Sequence, residues 1–151
     1  QEVKDEMKNT EGKPEVKGRI RQLQREMANR RMMADVPQAD VVITNPTHFA
    51  VALKYEDGVM GAPELLAKGG DEVAFKIREI AEAHEIPVLQ IPPLSRAIYY
   101  STEIGEAIPE GLYMAVAQIL AYVYQLKQSK SGKASHPGKA PSPEIPHEYK
   151  K

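Results

Sequence analysis

The sequence predicts an α/β domain: a small four-stranded sheet surrounded by about four helices and preceded by a long linker helix. Three observations predict it. Residues 40–44 and 49–55 are nearly continuous runs of apolar, β-branched and aromatic residues joined by a four-residue connection, the pattern of two paired and largely buried strands. Residues 71–85 and 111–127 carry their apolar side chains at helical spacing instead. Residues 13–33 are charged and helix-favouring, with an apolar stripe too narrow to bury much.

In chain order, the first helix runs from about Lys13 to Met33, with Ile20, Leu23 and Met27 forming the narrow stripe. Such a helix is mostly solvated. Its basic cluster of Arg25, Arg30 and Arg31 suits anionic lipid or nucleic acid, but Glu2, Asp5, Glu6, Glu11, Glu15 and Glu26 interleave with it, as on a solvated linker face. Asp40 to Thr44 and Phe49 to Tyr55 are the first two strands, Glu64 to Lys68 a third, and Pro87 to Ile91 a fourth bounded by prolines. Asp71 to Glu85 is predicted helical, with Val73, Ile77, Ile80, Ala81 and His84 on one face and Asp71 and Glu72 near the N-terminus. Pro92 and Pro93 suit a helix start and lead into Arg96 to Tyr100. The last helix, from about Gly111 to Lys127, is predicted to bury Leu112, Val116, Ile119, Leu120, Val123 and Leu126. From Gln128 to Lys151 the Pro, Ser, Gly and Lys content cannot supply a core, which predicts a disordered tail. The expected organisation is therefore a charged linker over 1–35, a globular domain over 36–127 and a tail over 128–151.

Composition excludes some function classes. At 151 residues and 42% hydrophobic, the chain allows one compact domain with extensions. The absence of cysteine removes disulfides and thiolate metal sites and permits a reducing compartment. No apolar run approaches the roughly 20 residues needed to span a bilayer. A formal net charge of −1 supplies no global drive toward nucleic acid, so none is expected as a partner. His48, His84, His136 and His147 lack zinc-ligand spacing, and neither a metal nor another cofactor is expected. Tyr99, Tyr100, Tyr113, Tyr122 and Tyr124 fall on helices, where packing explains them better than base stacking. Arg78 and Arg96 suit either acidic groups on partners or ordinary salt bridges. A start at Gln1 rather than Met predicts a fragment of a longer protein.

The chemistry concentrates at Asn45-Pro46, between the first two strands. An Asn normally ages when the following backbone N–H attacks its side-chain amide, but Pro46 has no N–H. The reverse attack remains: the Asn45 side-chain nitrogen adds to its own main-chain carbonyl, closes a succinimide and expels Pro46 as a secondary amine. A rigid turn favours that closure by holding a near-attack geometry, and backbone donors at the Asn45 carbonyl would stabilise the oxyanion. The plain alternative is that Asn-Pro only initiates a turn. Thr47 suits bracing of that turn. His48 suits either a hydrogen-bonded turn position or protonation of the departing nitrogen.

Asn45-Pro46-Thr47-His48 resembles the autocleavage motif of the FlhB/YscU family of type III secretion. The likeness extends along most of the chain. Glu11-Gly12 and Val16 to Gln22 resemble the family's linker from membrane to domain, and Arg30 to Met33 with Asp35-Val36-Pro37 resembles its approach to the first strand. Val51 to Tyr55, Ala62-Pro63, Ala67-Lys68-Gly69, Ile77 to Ile80 and Pro92 to Ala97 follow in the family's order. Met60 to Pro63, Gly69-Gly70 and Glu103 to Pro109 are closer to the flagellar branch than to the injectisomes.

The resemblance implies the cytoplasmic domain of a membrane protein at the bacterial inner membrane, its membrane portion lying N-terminal to this chain. It implies one self-cleavage between Asn45 and Pro46; the two fragments are expected to stay together through the ladder hydrogen bonds and buried apolar contacts of the first strand. It also implies a switch of export from rod and hook to filament substrates, with a hook-length control protein and other export membrane proteins as partners. The competing expectation is a docking module for export substrates that never cleaves. An apolar edge around Ala62, Pro63 and Leu94 is the expected docking surface.

Overall fold

The structure, a computed structural model, describes residues 13–46, 48–133 and 135–150. Glu2, Asp5, Glu6, Glu11 and Thr47, named above, lie outside the described residues. The chain forms two compact units, divided between Ala34 and Asp35.

The first unit is carried by helix α1 (Pro14–Asp35). Pro14 opens it, where a missing N–H costs nothing because the first turn has no partner for it. Ile20, Leu23 and Met27 are 51%, 54% and 53% exposed, so the narrow stripe stays largely in water.

In the second unit, a 3-10 turn (Val36–Gln38) leads into β1 (Val41–Asn45), followed by β2 (Phe49–Lys54) and β3 (Glu64–Gly70). Then come α2 (Asp71–Ala83), β4 (Val88–Gln90), α3 (Pro92–Ser101) and α4 (Tyr113–Lys130). The sheet order is β3-β2-β1-β4. β1 and β2 pair antiparallel from Val41↔Leu53 to Asn45↔Phe49, β3 continues antiparallel beside β2, and β4 runs parallel to β1. β1 is thus a central strand with neighbours on both sides. Its near-continuous apolar run follows from that position, and Val41, Val42 and Ile43 are fully buried.

Helix α2 buries Ala74, Ile77 and Ala81. Val73 and Ile80 are half-buried, and the expected inward-facing His84 is exposed, because the helix ends there. The chain leaves α2 through Glu85 in the left-handed conformation (φ 58°), with Ile86 N–H donating to Ala81 O at 2.8 Å and Glu85 N–H to Glu82 O at 3.2 Å. Those two bonds form a Schellman motif with glutamate where glycine is usual.

Helix α3 begins on Pro92-Pro93 and buries Leu94, Ser95, Ala97 and Ile98; Ser95 Oγ donates to Ile43 O on β1 at 3.2 Å. Helix α4 follows a 3-10 turn (Glu110–Leu112) and buries Ala115, Val116, Ile119 and Val123. Leu120 and Leu126, expected inside, are only half-buried, since they flank the stripe that faces the core.

The tail departs from expectation. Ile145 is only 4% exposed and sits in the core cluster with Leu112, Val116 and Ile119, and Tyr149 packs against that cluster. Tyr122 hydroxyl donates to Gly138 O at 3.2 Å. A Cβ on Gly111 would meet the Tyr149 ring at 2.6 Å, so the tail packs directly on the backbone at the start of α4. A segment poor in apolar residues is therefore tied down by two of them.

Candidate functional site

Pro46 and His48 lie in the connection between β1 and β2, whereas Asn45, expected in that connection, is the last residue of β1 and pairs with Phe49. Proline at the second position presets the chain for a tight turn. His48 N–H donates to Asn45 O at 2.8 Å, closing the turn across the Asn-Pro bond. That oxygen belongs to the carbonyl the Asn45 side chain would attack. A backbone donor on this oxygen polarises the carbonyl in the ground state, the kind of donor that an oxyanion formed there would need.

The turn is gripped further by α2. Arg78 Nη1 donates to Pro46 O at 3.0 Å, and Asp71 N–H donates to His48 O at 3.0 Å. Asp71 itself sits at φ 49°, a conformation that costs a non-glycine residue about 1 kcal/mol or more. The bend it makes turns the chain from β3 into α2 directly beneath the turn. Upstream of Asn45, Thr44 is 4% exposed, its carbonyl accepts from Ile91 N–H at 3.0 Å, and its Oγ1 reaches Leu89 O at 3.4 Å. The residue before Asn45 is thereby immobilised from the β4 side.

Downstream, Phe49 is the first residue of β2 and stacks on Tyr99, with ring centroids 4.3 Å apart and planes at 28°. Tyr100 stands edge-on to both rings, at 5.6 Å from Phe49 and 5.1 Å from Tyr99. Lys68 fixes this cluster: its Nζ donates to Tyr99 O at 2.8 Å and Thr102 O at 2.7 Å and lies 5.1 Å from the Tyr99 ring centroid. The ammonium thus satisfies carbonyls at the C-terminal end of α3 that the helix cannot bond itself. Two open clefts flank the turn. One, of about 190 Å³, is lined by Pro46, Phe49, Phe75 and Arg78; the other, of about 550 Å³, by Asn45, His48, Arg96 and Tyr100.

The His48 side chain is exposed, its ring centroid 6.4 Å from that of Phe49. Thr47 lies outside the described residues. Among the described residues no group of three or more His, Cys, Asp or Glu converges on a possible metal position, and no helix is long and apolar enough to cross a membrane. His84 Nδ1 is 3.0 Å from Ile80 O and His136 Nδ1 accepts from Gly138 N–H at 2.9 Å, both local contacts.

The expected docking edge is not assembled. Leu94 is fully buried on the inner face of α3, and Pro63 is buried with its carbonyl accepting from Ile108 N–H at 3.0 Å. Ala62 is half-buried. The reason is the segment 105–108, which lies along β3 through Leu65 N–H to Glu106 O at 2.9 Å and Gly105 N–H to Leu65 O at 2.8 Å. Sequence reasoning also assigned Arg78 to acidic partners or a salt bridge, whereas its observed acceptor is a backbone carbonyl of the turn. Helical spacing places Asp71, Ala74, Phe75 and Arg78 on one face of α2; what that face meets depends on the sheet. Lys68 and the Phe49–Tyr99–Tyr100 cluster left no separate signal.

Residues 1–123 match the FlhB HrpN YscU SpaS family. The chain is 59% identical over 130 residues to the flagellar biosynthetic protein FlhB of Yersinia enterocolitica, covering 86% of this chain and 34% of that protein. It is 56% identical over 128 residues to FlhB of Escherichia coli (strain K12), covering 85% and 34%. It therefore spans about a third of the length of these curated relatives. The crystal structure of the cytoplasmic domain of FlhB from Shewanella putrefaciens matches with a TM-score of 0.77 at 50% identity, over 82% of this chain and 95% of that one. A mutated EscU C-terminal domain matches with a TM-score of 0.59 at 30% identity, over 61% and 92%. With the family model matched over residues 1–123 and the overall fold shared with the FlhB cytoplasmic domain, the chain belongs to the FlhB HrpN YscU SpaS family.

Proposed function

We propose that this chain is the cytoplasmic domain of a flagellar export protein that cuts its own backbone once, between Asn45 and Pro46. Asn45 Nδ2 bonds to the Asn45 carbonyl carbon, and the bond from that carbon to Pro46 N breaks. One proton passes from Nδ2 to Pro46 N, leaving a C-terminal succinimide on one fragment and a free proline amine on the other. The reaction needs no cofactor and turns over once. Thr47 and His48 shape the turn, and the His48 imidazole is placed in solvent within the same four residues, where it can relay the proton through water.

The observation that carries the reading is the 2.8 Å bond from His48 N–H to Asn45 O, because it polarises the one carbonyl that must become an oxyanion. Cleavage releases the turn while β1 keeps both neighbouring strands, so the domain persists with an altered surface. Through that surface the protein switches export from rod and hook to filament substrates. Its partners are those substrates, a hook-length control protein and other export membrane proteins, at the cytoplasmic face of the inner membrane.

Intact mass measurement under denaturing conditions, on the parent and on Asn45→Ala, tests the chemistry. Two masses meeting at Asn45/Pro46 in the parent and one in the variant are expected. A single full-length mass in both, after prolonged incubation, overturns cleavage and leaves the docking module that does not cleave.

A further inference from the structure

The Asn-Pro turn is held at three consecutive described carbonyls. Asn45 O takes His48 N–H from the turn itself, whereas Pro46 O and His48 O take donors from α2, the Arg78 guanidinium at 3.0 Å and the Asp71 backbone N–H at 3.0 Å. Asp71 and Arg78 are seven residues apart on one helix, hence on one face. That helix is anchored by Ala74 and Ile77, which are buried between them. The Arg78 guanidinium lies over Phe75, whose ring centroid is 5.8 Å from the guanidinium carbon.

The consequence for the leaving group follows from its dihedral angles. The pyrrolidine ring already locks φ of Pro46. A donor fixed on the Pro46 carbonyl restrains ψ, the residue's other soft angle. The leaving nitrogen is then rigid relative to the sheet, and with the Asn45 backbone paired in β1 the Asn45 side chain is the part left to move. Arginine suits the task because a charge-assisted bond is stronger than a neutral one.

We propose that Arg78 is a positioning residue for cleavage at Asn45–Pro46, holding the departing proline by its carbonyl oxygen so that the Asn45 side chain closes on a fixed bond. This rests on the cleavage reading above. Nothing in the step passes through Arg78: the bond made is Nδ2 to carbon, the bond broken is carbon to Pro46 N, and the guanidinium keeps its proton.

The test is a pulse-labelled cell-free synthesis of the full chain, stopped with a translation inhibitor and chased on denaturing gels. Parent, Asn45→Ala, Arg78→Ala, Arg78→Met and Arg78→Lys are compared, with a melting curve for each. Arg78→Met keeps a long apolar side chain without the guanidinium and serves where the alanine variant folds poorly. Loss of the guanidinium is expected to slow cleavage about 10- to 100-fold, the scale of a misplaced reacting group, with the melting temperature near that of the parent. Arg78→Lys restores part of the rate, and millimolar guanidinium speeds Arg78→Ala where equal urea does not. Parental rates in Arg78→Ala and Arg78→Met overturn the proposal while cleavage itself stands. Slow variants that neither lysine nor guanidinium rescues also overturn it, since such a defect is structural. A parent as inert as Asn45→Ala overturns the cleavage reading instead.

Discussion

Asn45 and Pro46 are legible in the sequence because their chemistry is local: whether a residue lacks an N–H, and whether a side-chain amide lies within reach of its own carbonyl, are covalent facts. Arg78 is not legible in that sense, because its acceptor is 32 residues away and is met only once α2 lies on the sheet. Leu94 shows the opposite error, an apolar residue assigned to a surface that the fold placed at zero exposure. Single residues also carry stability that can be measured. Glu85 occupies the left-handed position after α2, where glycine has no Cβ penalty, so Glu85→Gly is expected to stabilise the domain by about 0.5–1 kcal/mol in chemical denaturation. No change in midpoint, or a fall, would show that the Glu85 side chain makes a compensating interaction. Gly69→Ala is expected to destabilise by about 1–3 kcal/mol, because its new methyl would overlap the Val73 side chain on the first turn of α2.

Among the elements, β1 decides what the proposed cleavage would do to the molecule. It lies between β2 and β4, with Val41, Val42 and Ile43 fully buried, each worth about 2 kcal/mol of apolar burial. A strand held on both edges and both faces does not leave when one covalent link is cut. The fragments 1–45 and 46–151 are therefore expected to co-elute in native gel filtration and to separate in denaturant; separation under native conditions would refute this. Strand positions were readable from apolar runs, and so was the helical face of α2. The parallel pairing of β4 with β1 was not, since three residues of strand carry no record of which neighbour they join. Helix α3 depends on a residue outside itself. Lys68→Met leaves the Tyr99 and Thr102 carbonyls without their donor and is expected to cost about 1–3 kcal/mol, read as a drop in melting temperature.

At the scale of the whole unit from Asp35 onward, the tail is part of the fold. Ile145 fills a place in the same cluster as Leu112 and Ile119, so truncation after Lys133 is expected to cost about 2–4 kcal/mol, as does Ile145→Ala within the full chain. An unchanged denaturation midpoint in both would mean that the tail contributes nothing to the core. The sequence by itself determined the elements, the place of Asn45-Pro46 at the junction of two strands and the narrow, solvated stripe of α1, because periodicity and proline's missing donor act over a few residues. Only the tertiary structure decided that Arg78 and Asp71 grip the turn, that Pro63 and Leu94 are covered, and that Ile145 is buried in a segment whose composition argues for disorder. Composition averages over a window, whereas burial depends on which distant side chain finds a space its own size, and that is settled only when the sheet and helices close around it.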